Sequence, residues 1–232
     1  MARAPEGRSA DAHAGGSCRR GARYAGAWTV IQAEVPRIIL ASASSARRSV
    51  LEGAGLRFEA RPAAVDESAI KEAAQAEGIP PAEAALMLAD AKAERIGRRD
   101  PEALVIGCDQ LLVCEGAWFD KPADVAAARS HLRALRGRPH DLVTAVVCHR
   151  HGGRVWQHVA VPRLTMRVFS ETFLDAYLAA EAEHVTQSVG AYRLEGPGVQ
   201  LFDRVQGEHS AILGLPLLPL LGFLRQHGAL LA

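Results

Sequence analysis

The sequence is short of cysteine, aromatic residues and net charge, and each shortage closes off a class of function. Its four cysteines, Cys18, Cys108, Cys114 and Cys148, are scattered without a C-x-x-C pair, so neither a zinc site nor a disulfide framework is legible. A reducing cytosol suits them. His149 and His151 follow Cys148 closely, but Gly152-Gly153 comes next, and the segment reads as a hairpin tip more readily than as a metal site. With 27 Lys and Arg against 26 Asp and Glu, the net charge of +1 argues against affinity for long nucleic acid, while leaving room for a local cluster that holds one small anion. Only 5% of residues are aromatic, and outside the N-terminal extension no basic stripe is interleaved with them. No apolar run reaches the roughly 18 residues of a membrane span, and no secretory signal opens the chain. A soluble cytoplasmic protein is expected. Residues 1–35, rich in Ala, Gly and Arg without a period, read as a disordered extension. The 49% hydrophobic content suffices for one sizeable core, or two small lobes sharing one, over 36–232.

The folded part opens on a short strand at Arg37–Ala41, which runs through the polar loop Ser42-Ala43-Ser44-Ser45 into a helix carrying Arg47 and Arg48 in its first turn. Cations there oppose the helix dipole, so they suit a bound anion held by the free N–H groups, Ser42, Ser44 and the guanidiniums. They equally suit solvated arginines. Val65-Asp66-Glu67-Ser68 offers carboxylates that either ligate Mg²⁺ or begin a helix. After Pro80-Pro81 the spacing predicts a helix with Leu86, Ala89, Ala93 and Ile96 on one face, bordered by Lys92, which in isolation reads as a snorkelling lysine. Leu104–Val113 reads as a buried strand interrupted by Gly107, Asp109 and Gln110. A buried carboxylate needs hydrogen bonds, a cation or a metal to stay ionised, which makes Asp109 a functional candidate, with a bulge at Gly107 as the structural alternative. Lys121 precedes Pro122, so its backbone is held extended and its ammonium is aimed from a fixed place. Asp124 and Ser170 are placed as caps of two further helices, His140–Arg150 and Arg154–Val168 as a hairpin, and a strand runs through Asp203 before a last helix rich in leucine.

Three separated stretches, Leu40-Ala41-Ser42-Ala43-Ser44 with Arg47-Arg48, Ile106-Gly107-Cys108-Asp109-Gln110, and Gly214-Leu215-Pro216-Leu217, together with the Lys121-Pro122 turn, resemble in order the motifs of the Maf family. The resemblance implies an α/β fold, a mixed sheet with flanking helices in two lobes around a cleft, similar to inosine triphosphate pyrophosphatases. It also implies a cytoplasmic location, commonly a homodimer, a divalent metal cation (Mg²⁺ or Mn²⁺), and hydrolysis of a nucleoside triphosphate between its α- and β-phosphates. Position by position, Ser42 and Arg47 match phosphate-holding residues, Glu67 matches an acidic residue, and Lys92, Asp109 and Lys121 match the catalytic lysines and aspartate. Metal is assigned to Glu67 and Asp109. The sequence departs from the common pattern by having Ser45 and Ala46 where proline and arginine are usual, with Arg47-Arg48 one residue later, as in the 7-methyl-GTP branch. Gln110 and Glu195 resemble that branch too, and are taken with Ala46 as specificity positions. Ala46 stands where the branch usually carries a Trp able to stack on a cationic purine. A non-catalytic nucleotide-binding regulator of cell division is the alternative implied by the family's association with septum formation.

Overall fold

The computed structural model describes residues 31–232. Of the expected extension, residues 1–30, with Cys18, lie outside the described residues. Its last part packs on the domain: Gln32 bridges Leu230, and its side-chain amide both donates to Arg57 O and accepts from Arg57 N–H.

An eight-stranded mixed sheet carries the fold. Strand β1 (Ile38–Leu40) lies parallel to β2 (Glu59–Ala60) on one side and to the long β3 (Leu104–Cys114) on the other. Beyond β3 the pairing turns antiparallel, through β5 (Pro139–Arg150), β7 (Arg163–Met166) and β8 (Phe202–Gln206), while β4 (Ala117–Phe119) pairs with β3 and β6 (Gly153–Ala160) with β5. The expected second hairpin arm, 154–168, is therefore two strands. Pro162 sits at the break, where it has no N–H for the ladder and lends its carbonyl to Leu142 N–H at 2.9 Å. The expected strand through Asp203 is present as β8, whereas the stretch leading to it is not extended. It holds two 3₁₀ turns, Val189–Ala191 and Pro197–Leu201, and only then enters β8.

The helices are α1 (Ser45–Gly53), α2 (Glu67–Ala76), α3 (Pro81–Gly97), α4 (Val125–Leu135), α5 (Glu171–Ala180), α6 (His209–Ile212) and α7 (Leu217–Gln226). Ser44, Asp66, Asp124 and Ser170 each accept from a main-chain N–H three residues on, closing the first turns of α1, α2, α4 and α5. The carboxylate of Asp66 thus starts a helix. Helix α3 lies on β3 along an alanine-rich seam. The odd-numbered residues of β3 face it: Val105 packs with Ala93 and Ile96, and Leu111 with Ala84, Ala85 and Leu88. Between them is Gly107, where a Cβ would overlap the Ala89 carbonyl and crowd Ala93, so glycine is needed for close approach. No bulge forms there, since the β3–β5 register runs unbroken from Val105 to Val113. The opposite face of β3 supplies Leu104, Ile106 and Cys108 to a core shared with Leu51, Leu220 and Leu224. Burial pushes the Cys108 thiol up to about 11 and the Cys148 thiol well above its ordinary value, so both sit in this core as neutral thiols.

Candidate active site

Strand β1 parts from β3 after Ile106, and β4 does not join it until Leu112. The intervening edge of β3 opens onto a cleft of about 870 Å³. Asp109 sits in this gap, 4% exposed, on the face turned toward α3. Its Oδ1 receives the Lys92 ammonium at 2.6 Å, while Oδ2 is buried with no hydrogen-bond partner. Lys92 does not border the apolar stripe of α3. It is itself 6% exposed, within a stripe that runs through Leu88, Ala89, Ala93 and Ile96, and Leu86 is only partly buried. Surrounding alanines are too short to fill the space, and the lysine stem passes through it to reach the carboxylate. The same ammonium meets Glu67 Oε1 at 2.8 Å from the first turn of α2. Burial raises the Glu67 pKa, but the hydrogen bond and charge of Lys92, with Lys71 and Lys121 further off, more than offset it, and the net shift is downward.

The loop between β1 and α1 lines the same cleft and is cross-braced by its own hydrogen bonds. Ser42 Oγ accepts from Ser44 N–H at 3.2 Å and from Arg47 Nη1 at 3.2 Å, while Ser44 Oγ caps α1 by accepting from Arg47 N–H. The guanidinium is pinned at its other edge, where Arg47 Nε donates to Gly214 O at 2.9 Å. Gly214 has φ +94°, and a Cβ there would press on Arg47 Nε. The glycine of the Gly214-Leu215-Pro216 motif thus makes room for an arginine distant in the chain. Arg47 lines the cleft; Arg48, one position on, is exposed and lies outside its lining.

Ala46, Gln110, Lys121 and Glu195 also line the cleft. Gln110 projects from the face of β3 opposite Asp109, with its amide nitrogen within hydrogen-bond distance of Thr144 Oγ1, Ala211 O and Ile212 O, so it ties the end of α6 to the sheet. That leaves its carbonyl oxygen for the cleft. Glu195 is exposed, on the wall that follows the 3₁₀ turn at 189–191. Lys121 is exposed on the turn between β4 and α4.

Sequence reasoning missed two parts of this cleft. Lys71 of α2 pairs with Asp120 at 2.6 Å beside Lys121, and Arg193 is held through two nitrogens by the buried Glu181 behind the Glu195 wall. Neither carried a motif. The one available signal for Lys71 was its spacing of one helical turn from Glu67.

The model of Maf-like proteins matches residues 37–227, nearly all of the described chain. The chain belongs to the Maf family. Within that family it is 62% identical, over 84% of its own length and 98% of the relative's, to a protein of Granulibacter bethesdensis named nucleoside triphosphate pyrophosphatase. It is 54% identical to one of the same name in Paramagnetospirillum magneticum, over 83% of this chain and 99% of the other. A Rhizobium meliloti protein named 7-methyl-GTP pyrophosphatase shares 49% identity, over 84% of this chain and 98% of that relative.

Proposed function

We propose that this Maf protein hydrolyses nucleoside triphosphates to the monophosphate and pyrophosphate, with 7-methyl-GTP or a related guanine nucleotide as substrate. The observation that carries the proposal is Asp109, a buried carboxylate with one oxygen on Lys92 and the other unpartnered, facing the same cleft as the Arg47 cradle. A buried carboxylate with one oxygen left unpaired at a cleft marks a site of chemistry.

Arg47, with its Nε and one terminal nitrogen fixed by protein oxygens, presents the rest of its guanidinium to phosphate, and the free N–H groups at the start of α1 add to it. Lys121 and Lys92 supply positive charge where the pyrophosphate leaving group develops it negatively. Asp109 orients water, or takes its proton, for attack on the α-phosphorus. A divalent cation, Mg²⁺ or Mn²⁺, fits the donors: the orphaned Asp109 Oδ2 and Glu67 are hard oxygen ligands. The described residues hold no group of three or more metal-binding side chains, which suits an ion that takes its remaining ligands from water and substrate phosphates. When bound, the ion would neutralise phosphate charge and lower the pKa of water.

Guanine is favoured because a carboxylate at Glu195 and the free carbonyl oxygen of Gln110 both accept hydrogen bonds, and guanine offers a ring N–H and an amine side by side. The relatives named for 7-methyl-GTP agree with this choice. No helix among the described residues is long and apolar enough to cross a membrane, and the buried free thiols Cys108, Cys114 and Cys148 suit the reducing cytosol in which we place the protein, as a homodimer. Sedimentation equilibrium checks the dimer.

The deciding assay is pyrophosphate release from 7-methyl-GTP, GTP, UTP and dTTP with Mg²⁺ or Mn²⁺. Asp109→Asn should lose about 100-fold or more while remaining folded. A folded Asp109→Asn that keeps most of the wild-type rate would remove Asp109 from the chemistry, and nucleotide binding without hydrolysis by the wild type would favour the regulator. Preference for UTP or dTTP would overturn the guanine assignment alone.

A further inference from the structure

An alternating chain of charge crosses the cleft floor. It runs from Asp109 to Lys92 at 2.6 Å and on to Glu67 at 2.8 Å. Lys71 stands one helical turn beyond Glu67 and closes on Asp120 at 2.6 Å. Asp120 directly precedes Lys121. The last link joins α2 to the turn between β4 and α4, two elements 49 residues apart in sequence.

The two partners differ in setting. The Lys71 side chain is 16% exposed, packed into the cleft wall, whereas Asp120 is 68% exposed on its turn. Lys121 is exposed, and among the described residues it forms no ion pair of its own. Its aim therefore depends on its backbone. Pro122 restricts that backbone on one side, and the Asp120 carboxylate, anchored to a packed lysine, restricts it on the other. Exposed ion pairs contribute little to stability, so the value of this one lies in what it orients.

We propose that Lys71 is a positioning residue: through Asp120 it pins the turn that aims Lys121 at the substrate phosphates, in register with Glu67 and Lys92. The role rests on the pyrophosphatase reading of the cleft. An ammonium misplaced by about an ångström loses charge stabilisation in the transition state more than ground-state affinity, so the loss falls on kcat.

The test compares wild type, Lys71→Met, Lys71→Arg, Asp120→Asn and the double variant Lys71→Met/Asp120→Asn by steady-state pyrophosphate release, with thermal unfolding alongside. We expect Lys71→Met and Asp120→Asn each to lower kcat about 10-fold, with KM within about threefold and Tm nearly unchanged. The double variant should be no slower than either single one, because both break the same link, and Lys71→Arg should restore most of the rate. Single variants at wild-type kcat would overturn the role. So would a loss in Lys71→Met with none in Asp120→Asn, which is the signature of direct phosphate contact, or additive losses in the double variant. A wild type silent on every triphosphate would instead bring down the activity, and this role with it.

Discussion

Lys92 is the side chain on which two carboxylates depend. Replacing it with methionine preserves the stem but strands Asp109 as a buried, unpaired charge, and breaking a buried pair in this way costs about 3 kcal/mol or more. Lys92→Met should therefore lower thermal stability and abolish turnover together. Adding Asp109→Asn to it should recover much of the stability and none of the activity, since an amide needs no counterion. Unfolding midpoints equal in the single and double variants would show that Lys92 is not the counterion of Asp109. Gly214 is the contrasting case. Gly214→Ala forces φ +94° on a residue with a Cβ and pushes Arg47 Nε away, so kcat/KM should fall in company with a modest drop in Tm. An unchanged kcat/KM in the folded variant would mean that the guanidinium does not need this seat.

At the level of elements, the closeness of α3 to β3 determines whether Lys92 reaches Asp109 at all. Gly107→Ala should spread the two and cost about 1–3 kcal/mol in overpacking, read from denaturant midpoints, with activity falling as the lysine retreats. Wild-type stability in this variant would argue that the seam has slack. The same seam shows where sequence reading succeeds and where it stops. Asp109 was legible because a charge inside an apolar strand contradicts its surroundings, and Arg47 because cations at a helix start contradict the dipole. The orientation of α3 was not, because alanines suit a buried face and a surface alike. The true stripe runs through Leu88 and Lys92, and only contact with Gly107 settles it. Lys71 and Asp120 are ordinary surface charges until the fold brings them within 2.6 Å.

For the whole molecule, acid should act first through a buried histidine outside the cleft lining. His140 is 2% exposed beneath the cleft wall, with Nε2 at 2.8 Å from the Tyr192 hydroxyl, and burial pulls its pKa down to about 4. Below the ordinary value of 6.5 the unfolded chain takes up a proton that the folded chain refuses. Stability is thus full above about pH 6.5 and falls as pH drops toward about 4, by about 3 kcal/mol from this group. His131, lowered by its own burial, adds in the same direction. Urea midpoints across this range should drop for the wild type and flatten for His140→Gln; parallel slopes would assign the effect elsewhere.

The gap in the edge of β3 has one more outcome. Leu104 N–H bonds Arg37 O and Ala41 N–H bonds Ile106 O, so the alternation turns the main chain of Cys108 and Gln110 to that same side, into the cleft. Open strand edges invite other polypeptides to add on and start aggregates. Here the opening is bracketed by β1 on one flank and β4 on the other, and extends only from Gly107 to Leu111. Such a window is open to the cleft of the proposed active site yet too short to template a foreign strand, so the protein keeps bare backbone there without becoming sticky.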